Sequence, residues 1–352
     1  MKKFVKSIFS LTFALTMAFS VSGCNSNQNP SNAQNDENES NSNDPIKIGI
    51  VQLIEHDALD SAREGFIDTL ADAGYEDGEN VIFDIQNAQG DQSNLKTISQ
   101  KFVNNNSDLI FAISTQAAQS VASETTEIPI LGSAITDYVS AGLVDSNEVP
   151  GKNVSGTSDA APVIEEQIKL ISQLAPEAKT LGIMYTSSET NSQVQAEEAQ
   201  QIAENLGFTC EIGTITSTND IAQAVQSIVG KVDAIYIPTD NLFASAMPVV
   251  ASVTEESKTP VVCGDTGMVS SGGLITIGTN FYVLGEQTGK MAIEIIEGKN
   301  TPDKMPIQFP QTLDLCINLD NAKAIGLDIP QDLINRANII TENGNTTKFQ
   351  KN

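Results

Sequence analysis

Two short polar segments of this sequence carry residue types that can bind charged groups on a small molecule. Ser114, Thr115 and Gln116 follow the apolar run DLIFAI, and alanines at helical spacing come after them. Hydroxyl groups beside the unpaired N–H groups of a helix N-terminus suit a ligand carboxylate. Ser114 or Thr115 could instead only cap its own helix, and one residue can serve both purposes.

The second segment consists of Thr239, Asp240 and Asn241, which follow the apolar run DAIYI in the same way. An ammonium group needs a carboxylate or several carbonyl oxygens, and Asp240 is the first candidate to supply one. Asp137 and Asp265 compete for this role because each follows another apolar run. Each of these aspartates could instead cap a helix or a turn.

The remaining candidates lie in loops after other apolar runs or could form the wall of a ligand site. Asn191 could reach a charged head group, although Ser192 and Gln195 fit a capping box that would only begin a helix. An aromatic ligand favours ring partners, for which Phe281 and Tyr282 are the preferred pair, although a Phe is more often part of a core. The other candidate binding residues are Gln52, His56, Leu59, Thr136 and Tyr185.

Several classes of function are disfavoured by the composition and motifs. His56 is the only histidine, so a multi-histidine metal site is excluded. Met291 follows the segment GEQTGK, where a phosphate loop would continue with Ser or Thr. The net charge of −26 disfavours nucleic acid as a partner. We therefore expect no catalytic residues, no cofactor and no metal, and an enzyme that uses the scattered Asp and Glu residues is a minor alternative.

The elements that must position these residues can be read from the hydrophobic pattern. From Ile46 onward, apolar runs alternate with amphipathic stretches, which is typical of parallel strands covered by helices. The order recurs from Lys179, where KTLGIMY matches IKIGIVQ and VDAIYIPTDNLFAS matches SDLIFAISTQAAQS. The repeat predicts two like-folded α/β lobes, and the turn-rich segment Gly142–Asp159 marks the first crossing between them. Because ligands bind at the carboxyl ends of parallel strands, the two polar segments would form opposite lips of a cleft.

The N-terminal segment has a different character from the rest of the chain. Three lysines precede an apolar run that ends in VSGC, so residues 1–24 are expected to be a lipoprotein signal whose Cys24 is lipidated. An uncleaved membrane anchor and a plain secretory signal are the alternatives. Residues 25–45 are almost wholly Asn, Ser, Gln, Asp and Glu, which predicts a disordered tether. Cys210, Cys263 and Cys316 lack metal-ligand spacing; at most one disulfide could form, and buried free thiols are expected.

Several stretches in a characteristic order resemble the substrate-binding proteins of ABC importers, specifically the subfamily linked to tryptophan and other aromatic amino acids. The stretches are QLIEHDALD, STQAAQS, ITDYVSAGLV, NVSGTSD, YTSSETNSQ, IPTDN and FYVLGEQTGKMA. The resemblance implies a type I periplasmic-binding-protein-like fold, in which three crossover strands join two Rossmann-like lobes with parallel sheets. Lobe 1 would comprise residues 46–150 plus about 282–310, and lobe 2 residues 151–281 plus about 311–345. The family commonly has His-Pro-Ala-Leu-Asp where this chain has HDALD.

The function implied is capture of a small ligand, an aromatic amino acid such as Trp, Tyr or Phe, by closure of the lobes. The partners would be a membrane permease with a separate ATPase, and the Cys24 lipid would hold the protein on the extracytoplasmic face of the cell membrane. A sensor or surface adhesin of the same fold, without a permease, is one alternative. A sugar or another small solute is a second, although the chain has no Trp to stack on a sugar ring.

Overall fold

The computed structural model describes residues 44–349. The expected signal segment, Cys24 and nearly all of the expected tether lie outside this range. The strands are β1 Ile46–Gln52, β2 Val81–Asn87, β3 Leu109–Ile113, β4 Ile130–Ile135, β5 Val154–Ser158, β6 Thr180–Thr186, β7 Thr209–Ile215, β8 Ala234–Ile237, β9 Val261–Cys263, β10 Ile275–Thr279, β11 Leu313–Asn318, β12 Ile339–Glu342 and β13 Asn345–Lys348. The helices are α1 Asp57–Asp72, α2 Gln92–Asn104, α3 Thr115–Glu124, α4 Ile164–Leu174, α5 Thr190–Asn205, α6 Ile221–Ile228, α7 Asn241–Ser245, α8 Met247–Ser257, α9 Thr266–Ser270, α10 Phe281–Ile296, α11 Leu319–Ile325 and α12 Gln331–Arg336.

The first lobe is built on a parallel sheet with the strand order β2-β1-β3-β4-β5. Its inner strands β3 and β4 are buried along their whole length, which explains their nearly continuous apolar character. Helices α1 and α10 pack together on one face, where the rings of Phe66 and Phe111 stack with centroids 4.0 Å apart. Helix α2 lies on the other face, where Phe102 packs against Gly49.

The second lobe is built on a larger sheet with the order β13-β12-β11-β10-β9-β8-β6-β7. The pairs β10–β11 and β12–β13 are antiparallel, and the other pairs are parallel. The order β7-β6-β8-β9 repeats the order β2-β1-β3-β4 of the first sheet. The prediction of a two-lobed α/β fold with parallel sheets is therefore confirmed.

The repeat extends to individual hydrogen bonds. Asp108 Oδ2 accepts from the backbone N–H of Lys47 at 2.8 Å, and Asp233 Oδ2 accepts from that of Lys179 at 2.8 Å. Asp108 therefore links the start of β3 to the start of β1, and Asp233 links the start of β8 to the start of β6 in the same way.

The chain passes between the lobes through short segments that follow β5 and β10 and precede β11. The expected lobe boundary at residues 150 and 151 is wrong, because β5 still belongs to the first sheet and the chain leaves that sheet at Asp159. The sequence of β5, VSGTS, has a single apolar residue, so hydrophobic patterning does not reveal this buried strand.

Two glycines allow α10 to pack closely on α1. A Cβ atom on Gly285 would overlap the carbonyl oxygen of Ala62, and one on Gly65 would overlap that of Tyr282. The GEQTGK segment thus forms a helix contact and not a phosphate loop. This contact fixes the first turn of α10, which carries Phe281, against the first lobe.

No helix within residues 44–349 has both the length and the apolar character needed to cross a membrane. Cys210, Cys263 and Cys316 are free thiols, as expected; Cys263 and Cys316 are buried, whereas Cys210 is half-buried.

Candidate functional site

The carboxyl ends of the strands in both lobes surround a small enclosed space, which we call the acceptor cavity. Its volume is about 10 Å³, room for roughly one water-sized group. The loops after β1, β6, β8 and β9 contribute to it, as do the crossing after β5 and the start of α10. The lining residues are His56, Ala58, Leu59, Ala134, Asp159, Asn191, Thr239, Asp240, Asn241, Asp265 and Phe281.

A chain of hydrogen bonds across the cleft fixes the protonated nitrogen of His56. The side-chain amide N–H of Asn241 donates to the carboxylate of Glu189, which leaves Asn241 Oδ1 facing His56 Nε2 at 3.2 Å. An amide oxygen only accepts, so Nε2 must carry the proton. Burial lowers the pKa of His56 and favours the neutral ring. In that state Nδ1, which is buried without a partner, is a hydrogen-bond acceptor.

Three further acceptors of the cavity are buried without a partner. These are Asp159 Oδ1, Asp265 Oδ2 and Asn191 Oδ1. The amide nitrogen of Asn191 already donates to Thr239 O at 3.2 Å, so its oxygen is the free atom. Leaving a buried polar atom unpaired costs about 1–3 kcal/mol. With His56 Nδ1 the cavity therefore holds four acceptors and calls for a group with several N–H donors.

Two carboxyl groups around the cavity have pKa values above their ordinary range. Burial raises the pKa of Asp159 to about 6. Burial also raises the pKa of Asp265, and the nearby His56 partly offsets this effect. No Lys or Arg lines the cavity. A cation in the cavity would favour the ionised form of these carboxyl groups, and below about pH 6 it would have to displace the proton of Asp159.

A second small space adjoins the acceptor cavity at Asn191, and we call it the threonine pocket. It is also about 10 Å³ in volume. The hydroxyl of Thr115, the first residue of α3, is buried there without a partner. Thr136, Asp137 and Asn191 line the same pocket. A free hydroxyl at a helix N-terminus can donate to a carboxylate.

A larger space, the hinge chamber, lies on the side of the crossing segments. Its volume is about 300 Å³. It shares Asp159, Thr239 and Phe281 with the acceptor cavity, and Thr136 and Asp137 with the threonine pocket. The three spaces are therefore neighbours that share walls.

The structure thus brings many of the sequence-predicted site residues together. Those lining the acceptor cavity or the threonine pocket are His56, Leu59, Thr115, Thr136, Asp137, Asn191, Thr239, Asp240, Asn241, Asp265 and Phe281.

The structure does not support Asp240 as the first candidate for an ammonium group. Its Oδ2 accepts from the backbone N–H of Thr186 at 2.6 Å, and its Oδ1 accepts from the Thr186 hydroxyl at 2.8 Å and from Phe243 N–H at 3.0 Å. Asp240 therefore fastens the end of β6 and caps α7. The carboxylate of the half-buried Asp137 likewise accepts from the backbone N–H groups of Val139 and Ser140, which makes it a turn cap.

Three predicted residues on the first lobe have other roles. Gln52 donates to Ile54 O and to Asp60 Oδ1. Ser114 caps α3 through a 3.2 Å bond from Ala117 N–H. Tyr282 does not line the acceptor cavity, and its hydroxyl donates to Asp68 Oδ2 at 2.9 Å.

Three further predicted residues serve contacts outside the acceptor cavity. Gln116 donates across the cleft to Ser188 O at 2.9 Å. Ser192 lies inside α5, whose N-cap is Glu189, so the capping box expected at Ser192 is wrong. Its hydroxyl donates to Thr239 O at 3.0 Å. Tyr185 packs against the core of the second lobe.

Sequence reasoning missed Asp159 and Glu189. Asp159 follows β5 at the carboxyl end of a parallel strand, but the surrounding turn residues make it resemble a linker. Glu189 lies in the loop after β6 and accepts from Asn241 and Leu242, which organises the lip that meets His56. Its pKa is raised to about 8 by burial and by the nearby Asp240. In both cases the sequence feature that could have revealed the residue is an acidic side chain in the loop that follows a strand.

The described residues contain no group of three or more His, Cys, Asp or Glu side chains that could hold a metal ion.

The two lobes are in contact across the cleft. Besides the bonds of His56 and Gln116, Gln195 donates to Thr136 Oγ1 at 3.1 Å and Ser271 donates to Asp57 Oδ2 at 3.1 Å. The structure therefore represents a closed arrangement.

Two solved structures allow this arrangement to be compared. The ABC domain from Streptococcus pneumonia in complex with L-Trp is 40% identical, with a TM-score of 0.80 over 84% of this chain and 100% of that chain. A ligand-free, open substrate-binding protein with adhesive properties from Clostridium difficile is 44% identical, but its TM-score is 0.63 over 82% of this chain and 97% of that chain. The lower score against the open structure, despite its higher identity, agrees with the closed arrangement.

Sequence comparisons find the same class of protein as the two solved structures. A tyrosine-binding protein of Clostridioides difficile (strain R20291) is 42% identical over 323 residues, which covers 92% of this chain and 93% of the relative. The profile of the family described as ABC transporter substrate binding protein matches residues 47–340. The chain belongs to this family of ABC transporter substrate-binding proteins.

Proposed function

We propose that this protein captures an aromatic amino acid between its lobes and that the ligand ammonium occupies the acceptor cavity. The observation that carries the proposal is the set of four unpartnered acceptors, His56 Nδ1, Asp159 Oδ1, Asn191 Oδ1 and Asp265 Oδ2. A primary ammonium offers three N–H donors and a positive charge. Its size matches a space that holds one water-sized group.

The ligand carboxylate would lie in the threonine pocket. Thr115 offers its free hydroxyl there, and the N-terminus of α3 adds a partial positive charge. The threonine pocket and the acceptor cavity share Asn191 as a lining residue. This proximity suits the short separation of the two charged groups in an α-amino acid.

Ligand capture would follow from closure because the acceptors come from both lobes. His56 belongs to the first lobe, whereas Asn191 and Asp265 belong to the second. An ammonium can contact all of them only when the lobes are together. The ligand therefore stabilises the closed state through contacts that the open state lacks.

Calorimetry with single compounds tests this proposal. We expect tyrosine, tryptophan or phenylalanine to bind, and the N-acetylated form of the same amino acid to bind at least about 100-fold more weakly, because it lacks the ammonium. Sugars serve as the comparison class. Equal affinity for the amino acid and its N-acetylated form would exclude an ammonium site in this cavity.

A role in import would also require a membrane anchor and a transporter. We propose that lipid on Cys24 holds the protein at the extracytoplasmic face of the cell membrane, where it delivers ligand to a permease driven by a separate ATPase. Replacement of Cys24 by Ser should release the protein from the membrane fraction, and uptake of labelled ligand by cells should fall. Unchanged membrane association of Cys24→Ser would contradict the lipid anchor.

A second candidate function is surface adhesion. It is favoured by the 44% identical relative with adhesive properties. Binding of the purified protein to host cells, compared with and without saturating ligand, tests this candidate. Absence of saturable cell binding would exclude it.

A further inference from the structure

The volumes of the three neighbouring spaces restrict where a ligand side chain can lie. The acceptor cavity and the threonine pocket measure about 10 Å³ each, and the hinge chamber about 300 Å³. An aromatic ring needs a space of roughly 150 Å³, the volume of an engineered cavity that binds benzene. Once the two charged groups occupy the small spaces, only a space of the chamber's size can receive the ring.

The lining of the hinge chamber suits a ring. Val163, Ile164 and Phe281 provide buried apolar surface, and Phe309 provides a half-exposed ring near solvent. Apolar walls with a ring partner are typical of sites for aromatic groups.

One other large space adjoins the acceptor cavity, and we call it the outer groove. It measures about 390 Å³ and shares Ala58 and Phe281 with the cavity. Its walls include Asp57, Asp60 and Glu64, together with several hydroxyl side chains. The hinge chamber also has carboxyl groups, those of Asp137, Asp159 and Glu198, but it has more apolar wall residues than the outer groove. A ring placed in the groove would displace water from charged groups without providing them with partners, and it would gain less apolar contact.

The hinge chamber also contains a polar atom that the fold leaves unused. The side-chain oxygen of Asn147 is buried without a hydrogen-bond partner and lines this chamber. The backbone of the same residue is held in place, because Ile307 N–H donates to Asn147 O at 2.8 Å. A fixed, unpaired acceptor beside apolar walls calls for a donor on an otherwise apolar group.

We propose that the hinge chamber is the side-chain subsite of the ligand site and that Asn147 Oδ1 accepts a hydrogen bond from the outer end of the ligand ring. This rests on the proposed function, because the ligand's charged groups must occupy the two small spaces. The subsite selects aromatic side chains that carry a donor, namely the phenol of tyrosine or the indole N–H of tryptophan. Phenylalanine leaves Asn147 unpaired and binds more weakly.

Calorimetry with tyrosine, tryptophan and phenylalanine on four proteins tests the subsite. Asn147→Ala removes the acceptor, and we expect it to weaken tyrosine or tryptophan binding by about 5- to 10-fold while phenylalanine affinity stays unchanged. Glu198→Trp places a bulky ring at the exposed edge of the hinge chamber, and we expect it to weaken all three ligands by about 10-fold or more. Glu64→Trp makes the same change on an exposed helical residue of the outer groove and is the matched control, with affinity unchanged.

The outcomes separate the subsite from the proposed function. Equal losses for phenylalanine and tyrosine in Asn147→Ala would overturn the role of Asn147. A loss of affinity in Glu64→Trp but not in Glu198→Trp would place the ring in the outer groove and overturn the subsite. If the unchanged protein binds none of the three amino acids, the proposed function itself fails. Thermal melting of each variant without ligand, expected to match that of the unchanged protein, shows that the fold is intact.

Discussion

Asp240 and Asp265 follow the neighbouring strands β8 and β9, yet their carboxylates have different partners. Each caps the helix that follows, through Phe243 N–H and Met268 N–H respectively. The second oxygen of Asp240 accepts from the backbone of Thr186, whereas the second oxygen of Asp265 has no partner. Type and position in sequence are equivalent for the two residues, so the local packing alone decides which carboxylate is free for a ligand.

Replacement of Asp265 by Asn tests this difference. Asn keeps an oxygen that can cap α9 but removes the charge, so we expect the fold to persist and ligand affinity to fall by about 10- to 100-fold. Asp240→Asn is the comparison variant, in which the lost bonds to Thr186 should lower the free energy of unfolding by about 1–3 kcal/mol. Calorimetry and urea unfolding measure the two effects. A ligand affinity of Asp265→Asn equal to that of the original protein would remove this residue from the site.

The affinity should depend on pH through Asp159. Its pKa in the ligand-free protein is raised by burial to about 6, so below that pH an ammonium ligand must displace a proton. We expect full affinity above about pH 7 and a loss approaching tenfold per pH unit below about pH 6. The neighbours His56 and Asp265 face the same cavity; burial lowers the pKa of His56, which favours its neutral ring, and burial raises the pKa of Asp265, which acts in the same direction as the shift of Asp159.

The same group has the opposite effect on the stability of the ligand-free protein. Because the folded-state pKa of Asp159 lies above its ordinary value, its contribution to stability is present at low pH and is lost as the pH rises through about 6.

Calorimetric titration with the ligand at pH 5 to 8, on the original protein and on Asp159→Asn, tests whether Asp159 causes the pH dependence of the affinity. The variant should bind weakly, and its affinity should change less than that of the original protein between pH 7 and pH 5; an identical pH profile would assign the pH dependence to another group.

The contact between α1 and α10 is the element-scale feature that positions the site. Helix α10 comes late in the chain but packs on the first lobe, because Gly65 and Gly285 let the two helix backbones touch. His56 precedes α1 and Phe281 begins α10, so one contact orients a residue at each side of the acceptor cavity.

Substitution of Gly285 by Ala should disturb this contact. The new methyl group would overlap the carbonyl oxygen of Ala62, and we expect the free energy of unfolding to fall by about 1–3 kcal/mol. Gly230→Ala is the matched control, because nothing lies within 4 Å of the added Cβ atom. Urea unfolding of both variants measures the effect. Equal free energies of unfolding for the two variants would show that α10 moves to accommodate the methyl group without loss of stability.

At the scale of the whole molecule, the unpaired acceptors oppose closure when no ligand is bound. Opening the lobes hydrates these atoms, whereas closure buries them at a cost of about 1–3 kcal/mol each. The direct contacts across the cleft, such as Gln116 to Ser188 and Gln195 to Thr136, are few and polar. The balance between the states therefore depends on the ligand.

Small-angle X-ray scattering measures this balance directly. We expect the radius of gyration of the ligand-free protein to exceed that of the closed structure and to decrease when a saturating aromatic amino acid is added. The Asp265→Asn variant should remain open at the ligand concentration that closes the original protein. A ligand-free protein already as compact as the closed structure would contradict a ligand-dependent closure.

The sequence by itself determined the two-lobed α/β architecture and the lips of the cleft. Apolar runs, turn residues and a repeated order are local signals, and parallel strands place the residues after them at one edge. Only the tertiary structure decided which acceptors remain unpaired, because Asp240 and Asn191 bind the distant residues Thr186 and Thr239, whereas no distant segment supplies a partner to the second oxygen of Asp265. It also decided that β5 belongs to the first sheet and that Asp159, Glu189 and Asn147 border the cleft. Burial and hydrogen bonding depend on contacts between distant segments, which hydrophobic periodicity does not record.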